Sequence, residues 1–298
     1  MLRSYAQLAR LPNVFTALAD VTMGYLFTHR DGEFELVYWV LAVASAALYT
    51  AGMVLNDVFD YELDRVERPE RPLPRGEISL ATAQYLGFGL LAFGLVCGWL
   101  AGAAGSNFRL VPGQIATMLV VAILLYDKLL KATPVGPLAM GACRMLNVLL
   151  GMSGGSNLSD SSTWLVALGI GIYITGLTWF ARTEAVRSSR PMLIAATAVL
   201  AAGVAWLGHV TKLEPYALEQ ARLWPWLWLV LGGSIVYRFG WAIADPEPWR
   251  VQQAVKNGIM SLVVLDAAVA FSAAGHAATA ILLLLVPAVF LGRWLYST

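Results

Sequence analysis

The sequence predicts an all-α protein, a polytopic membrane bundle of ten transmembrane helices forming one domain over residues 1–298. Three observations predict it. The chain is 58% hydrophobic and only 13% charged, with a mean hydropathy of +0.66, whereas a soluble domain carries about 25% charge. Successive apolar runs of roughly 18–23 residues are long enough to cross a bilayer as helices. Finally, Lys and Arg concentrate in alternate connections. With the N-terminus inside, fourteen of the twenty fall on the cytoplasmic side and four outside, as the positive-inside rule requires. A net charge of +1 gives no case for nucleic acid as a partner.

The spans are expected near 11–29, 36–57, 80–102, 110–127, 134–153, 163–182, 191–210, 223–243, 257–275 and 278–296. Arg10 and Pro12 interrupt the first apolar run, and no small-residue cleavage pattern follows, so it does not read as a cleaved signal peptide. Ser79 before Leu80 suits a helix N-cap. Cys97 and Cys143 both fall inside spans, with no nearby His to make a metal site. His29, His209 and His276 map to outer span ends or loops and read as interfacial residues.

The second span ends in Asn-Asp-Val-Phe-Asp-Tyr-Glu-Leu-Asp, residues 56–64. On a helix turning about 100° per residue, Asn56, Asp60 and Asp64 lie at roughly 0°, 40° and 80°, and Asp57 at roughly 100°. Four oxygen-bearing side chains then share one face, while Glu62 and Arg65 point the other way. Three carboxylates so placed repel one another unless a cation lies between them. Hard oxygens suit Mg²⁺, which is commonly held by carboxylates, waters and substrate phosphates. The pattern therefore points to a diphosphate site at a membrane surface, with Asn56, Asp60 and Asp64 as metal ligands and Asp57 beside them.

The connections that share this side carry the matching cations. Residues 58–79 contain Pro69, Pro72 and Pro74, which forbid a continuous helix. They set Arg68, Arg71 and Arg75 in a stiff loop, where guanidinium groups suit phosphate oxygens. The next inner loop holds Tyr126 and Lys131, placed to hydrogen-bond and to neutralise a leaving diphosphate. The third, after residue 182, offers Arg182, Glu184, Arg187 and Arg190, a single acid among arginines. Arg144 lies about ten residues into the fifth span, and a charge at that depth faces a cavity or a partner. Asn147 falls on the same helical side, and Gly136, Gly141, Gly151 and Gly155 favour close packing around the pair. Gln252, Gln253, Lys256 and Asn257 cluster at the inner start of the ninth span, and Asp266 lies deeper within it, its partner open.

Together these residues resemble the UbiA superfamily of intramembrane prenyltransferases over most of the chain. The Asn56-Asp57-x-x-Asp60-x-x-x-Asp64 run resembles that family's first Asp-rich motif. Arg10-Leu-Pro-Asn13, Arg71-Pro-x-Pro-Arg75-Gly and the Tyr126–Lys131 loop resemble further family features, and Gly141-Ala-Cys-Arg144-Met-Leu-Asn147 is most similar to the EboC-like branch. The resemblance implies a bundle of nine or ten helices with a polar cap on the cytoplasmic side and a lipid-open cavity. It implies Mg²⁺-dependent transfer of an isoprenyl group from a prenyl diphosphate to a lipophilic or aromatic acceptor, in the lipid bilayer. On that reading Asp60, Asp64, Lys131, Tyr126 and Arg144 carry catalysis. Asn56, Asp57, Arg68, Arg71, Arg75, Asn147, Arg182 and Glu184 hold substrate. A bacterial plasma membrane with the site facing the cytoplasm is the expected location; protein partners are not specified.

Two departures stand out. The family's second Asp-rich motif belongs after the sixth span, where only Glu184 remains. A tenth span is apparent where family members commonly have nine. The competing reading is a non-catalytic relative that binds or exports a lipophilic precursor. A CDP-alcohol phosphotransferase is disfavoured, because its Asp-Gly followed by Ala-Arg spacing is absent.

Overall fold

A computed structural model of the chain describes residues 2–105, 108–155, 158–184 and 187–296. Among them regular structure is entirely helical. Nine long helices form the bundle: α1 (Leu11–Thr28), α2 (Leu36–Phe59), α3 (Leu80–Ala101), α4 (Val111–Leu125), α5 (Gly136–Met152), α6 (Ser161–Ala181), α7 (Arg190–Val210), α8 (Trp224–Ala244) and α9 (Pro248–Ala274). Prolines in the first turn of α1, α4, α5, α7, α8 and α9 pre-set the entry without costing a helical hydrogen bond. Ser79 caps α3 as expected, accepting from the Thr82 backbone N–H at 3.1 Å.

Among the described residues, seven helical stretches are long and apolar enough to cross a membrane. α5, with 17 residues, is a shorter apolar helix. The expected tenth span is broken. After α9 the chain passes through a 3₁₀ turn and a five-residue helix, Thr279–Leu283, before α10 (Leu285–Tyr296). Pro287 sits at the start of α10, where an unbroken helix from residue 278 would lose a backbone donor. The ninth helix also starts earlier than residue 257. It begins at Pro248, so Gln252, Gln253, Lys256 and Asn257 ride on its first turns.

The bundle is apolar on both sides. Leu41, Leu48, Tyr173 and Phe239 are fully buried, while Phe93, Val96, Trp226 and Leu229 are more than half exposed, as side chains facing lipid should be. Lipid supplies no hydrophobic drive between helices, so close packing must hold them. Gly24 on α1 lies against the Val148 carbonyl of α5, and Gly151 on α5 lies against the Val21 carbonyl of α1. A methyl at either place would collide with the facing backbone.

A second, small core lies beneath the 68–79 loop. Leu73 and Ile78 are buried against Leu8, Val54, Val58 and Ala83. Gly76 takes φ +72°, the turn that folds the loop back on itself. This anchor, rather than regular structure, holds the loop's arginines over the end of α2.

Candidate functional site

The acidic run follows a nearly continuous helical path. α2 ends at Phe59, and the short helix Tyr61–Glu67 continues it, with the Asp60 and Asp64 N–H groups bonded to the Asn56 and Asp60 carbonyls. The shared face is therefore real, and Glu62 points away, exposed and paired with Arg65 at 3.2 Å.

The four oxygen-bearing residues divide into two pairs. Asp57 and Asp64 are 5% and 4% exposed. Arg71 bridges them from one nitrogen, at 3.2 Å from Asp57 Oδ1 and 2.7 Å from Asp64 Oδ2. Arg10 adds a second contact to Asp57 Oδ1 at 3.2 Å. It reaches there from a left-handed turn, φ 45°, between the N-terminal helix Leu2–Leu8 and α1.

The other pair, Asn56 and Asp60, faces α4. There the helix widens into a π turn, Tyr126–Leu130, closed by the Lys131 N–H on the Tyr126 carbonyl at 3.0 Å. The extra residue per turn re-aims the side chains that follow. Lys131 Nζ lies 2.6 Å from Asp60 Oδ1 as an ion pair. Asp127, buried at 3% exposure, accepts from Asn56 Nδ2 at 3.1 Å through Oδ1, while its Oδ2 is buried with no partner.

Glu184 closes the cap from the loop after α6. Arg68, Arg10 and Arg71 surround its carboxyl and favour the ionised form, but burial outweighs them and pushes its pKa up. Gln252 of α9 donates to the Glu184 carbonyl at 3.2 Å and ties this loop to the bundle.

Below the cap a narrow apolar cleft of about 50 Å³ runs between α2, α4 and α5. Leu48, Gly52, Leu119, Ile123 and Met140 wall it, Tyr126 and Asp127 stand at its cap end, and Arg144 and Asn147 reach it further down. Arg144 lies over the Tyr49 ring, 5.0 Å from its centre.

The structure thus gathers Asn56, Asp57, Asp60, Asp64, Arg68, Arg71, Tyr126, Lys131 and Glu184 at one end of the bundle. Arg144 and Asn147 belong to the same cleft but are held from behind by Asp20 of α1. Two expected site residues are not brought in. Arg75 is exposed and pairs with Glu77 at 3.2 Å, because the turn at Gly76 carries it outward. Arg182 donates to the Ala132 carbonyl at 3.3 Å on the exposed rim, since α6 ends before its side chain can reach the acids. Sequence reasoning missed Arg10, Asp127 and Asp20 as partners. Asp20 carried a usable signal: a carboxylate inside an apolar span needs a cation, and Arg144 was a cation at similar depth.

Whether Mg²⁺ fits is tested by the donors present. Asn56 keeps its amide oxygen, Asp127 has an unpartnered buried oxygen beside it, and Asp60 lies on the same side with Lys131 between them. These are hard oxygens of the type Mg²⁺ takes. Asp64 is instead turned to Arg71, and among the described residues no three His, Cys, Asp or Glu side chains already converge on one point. The donor chemistry fits the ion.

A helical membrane bundle with a carboxylate-and-guanidinium cap over an apolar cleft defines the class of the protein. The model of the UbiA prenyltransferase family matches residues 17–256, and the chain belongs to that family. The digeranylgeranylglyceryl phosphate synthase of Ignicoccus hospitalis is 32% identical over 132 residues, a stretch spanning 44% of this chain and 40% of that protein. The synthase of Metallosphaera sedula is 32% identical over 149 residues, 49% of this chain and 50% of that one. The chain thus spans about half the length of the curated relatives it matches. A solved UbiA homologue from Archaeoglobus fulgidus, bound to DMAPP and Mg²⁺, superposes with a TM-score of 0.63 at 15% identity, covering 88% of this chain and 98% of that one; it shows the shared fold. These relatives are archaeal and lend no support to the expected bacterial source.

Proposed function

We propose that this protein transfers an isoprenyl group from a prenyl diphosphate to a lipophilic or aromatic acceptor, with Mg²⁺, as a single domain over residues 1–298. The observation that carries this reading is the placement of the charged cap at the mouth of the apolar cleft. Arg10, Arg68, Arg71 and Lys131 offer cations to a diphosphate, and the cleft between α2, α4 and α5 takes the prenyl tail. The relatives' names and the ligands of the Archaeoglobus structure support the same class of substrate.

Asn56, Asp60 and Asp127 would hold Mg²⁺, with Asp64 keeping Arg71 in place. The bound ion supplies positive charge against the leaving diphosphate. Lys131 and Arg71 add fixed positive charge at the same end, where charge develops as the allylic C–O bond breaks. Tyr126 stands at the cap end of the cleft, placed to hydrogen-bond to the diphosphate. The cleft walls exclude water from the prenyl cation. The lysines and arginines of the cap support a site facing the cytoplasm at a plasma membrane, by the positive-inside rule.

One observation favours the second reading, a non-catalytic binder or exporter. The loop after α6 brings a single acid, Glu184, and its Arg182 turns away to Ala132. Purified protein with Mg²⁺ and a panel of prenyl diphosphates, scored for both binding and diphosphate release, separates the two. Release in the presence of an acceptor supports transfer. Binding without release at every chain length favours the binder.

A further inference from the structure

Well away from the cap, the bundle holds a second cluster of charge, where α1, α5 and α9 meet. Asp20 of α1 and Asp266 of α9 are 0% exposed, and Arg144 of α5 is 8% exposed. Arg144 Nη1 lies 2.6 Å from Asp20 Oδ2, and its Nη2 donates to Thr16 Oγ1 at 2.7 Å. Asn147 Nδ2 donates to the same Asp20 oxygen at 3.2 Å. Asp20 Oδ2 is thus doubly satisfied, while Asp20 Oδ1 has no partner. Asp266 lies on α9, which packs against the α1 helix that carries Asp20, and both of its carboxyl oxygens are buried with no donor.

Among the described residues, the neighbouring helices do not supply the missing donor. Tyr173 of α6 gives its hydroxyl proton to the Gly258 carbonyl at 2.8 Å. Tyr49 of α2 presents its ring to Arg144. Two carboxylates and one guanidinium therefore share a buried interior. With both acids ionised the cluster would carry an uncompensated negative charge, which a low-dielectric interior disfavours strongly enough that such groups neutralise instead.

We propose that Asp20 and Asp266 form a proton-binding site, in which one proton resides on Asp266 and is donated to Asp20 Oδ1 across the α1–α9 interface. The proton turns two repelling acceptors into a donor and an acceptor and leaves Asp20 as the single counter-charge of Arg144. The cluster is then neutral overall. Because Arg144 and Asn147 also wall the apolar cleft, the same proton keeps the back of that cleft free of excess negative charge. It also fastens α9 to α1 by a bond that alkali removes. The site does not depend on the prenyl-transfer reading of the cap.

The test is infrared spectroscopy of the full chain in lipid nanodiscs at neutral pH. The wild type should show the carbonyl stretch of a protonated, buried carboxylic acid. Asp266→Asn, a neutral isostere, should lose that band and keep a thermal stability close to wild type. Asp266→Glu should retain the band at a displaced position. At alkaline pH the wild type should lose stability that Asp266→Asn retains. A wild-type minus Asp266→Asn difference spectrum with no acid carbonyl overturns the proposal. Should Asp266→Asn fail to fold, an unshifted band in Asp266→Glu overturns it by assigning the proton elsewhere. Stabilisation of the wild type by sodium chloride but not choline chloride, lost in Asp266→Glu, also overturns it, by showing a metal cation in the proton's place.

Discussion

Arg71 is the residue whose removal the cap should feel most. One of its nitrogens serves two carboxylates, at 2.7 Å from Asp64 and 3.2 Å from Asp57, and both acids are nearly fully buried. Arg71→Ala leaves Asp57 with Arg10 but Asp64 with no cation. A hydrogen bond to a charged group is worth about 1.5–3 kcal/mol, and breaking a buried pair from one side costs about 3–5 kcal/mol. The Arg71 side chain is 20% exposed, so water recovers part of that loss, and about 2–3 kcal/mol is expected. Denaturant unfolding in detergent micelles measures it. Arg71→Lys keeps the charge but cannot bridge two acids as well, and should recover about half. A double-mutant cycle with Asp64→Asn should give a coupling above about 1 kcal/mol. A loss below about 0.5 kcal/mol, with additive double mutants, would mean the contacts behave as an exposed surface pair and would refute the reasoning.

Three further outcomes are expected. Asp60→Ala and Asp127→Asn should each weaken Mn²⁺ binding, read by calorimetry or paramagnetic resonance, while Glu62→Ala should be nearly silent; equal losses in all three would indicate a folding defect. Arg68→Ala should weaken binding of inorganic diphosphate more than Arg182→Ala does, since Arg68 acts electrostatically on Glu184 in the cap and Arg182 is tied to Ala132; the reverse order would place the loop after α6 in the site. On the opposite side of the bundle, Glu214 pairs with Arg30 at 2.7 Å, yet burial pushes its carboxyl above its ordinary 4.5. A raised carboxyl pKa means the folded state holds the proton more tightly than the unfolded one. Its stabilising effect is present below pH 4.5 and is lost as pH rises through the raised value. Thermal stability of the wild type should therefore decline over that window, and Glu214→Gln should flatten the decline; parallel curves for the two proteins would show that Glu214 does not titrate there.

The sequence made the bundle legible because a bilayer leaves few alternatives. Apolar length reports helices directly, and nine of the expected spans match helices α1–α9 to within a few residues except at the start of α9. The last span failed for a local reason: residues 278–296 are apolar throughout, but length and hydropathy do not weigh the break before Pro287. The acidic face was legible for a similar reason, since the 3.6-residue period fixes direction on a helix, and Asn56, Asp57, Asp60 and Asp64 do share a side.

What the period could not give was the partner of each side chain. Arg71 and Arg75 look alike in sequence, four residues apart in a proline-rich loop. They part because Leu73 and Ile78 are buried and Gly76 turns, which aims Arg71 inward and Arg75 outward. Asp127 was hidden among lysines, in a stretch explained equally well by membrane topology, and only the π turn places it against Asn56. Arg144 was recognised as a charge at depth, but its meaning changes with its neighbours. Alone on α5 it reads as a catalytic residue lining a cavity; with Asp20 behind it, it becomes a fixed charge whose head is committed before any substrate arrives. Asp20 and Asp266 lie 246 positions apart in the chain, and no local rule pairs them. The cost of charge in lipid is the one sequence-level argument that reaches across that separation: it requires every intramembrane ion to be matched, and here two acids and one base leave a single proton to be found.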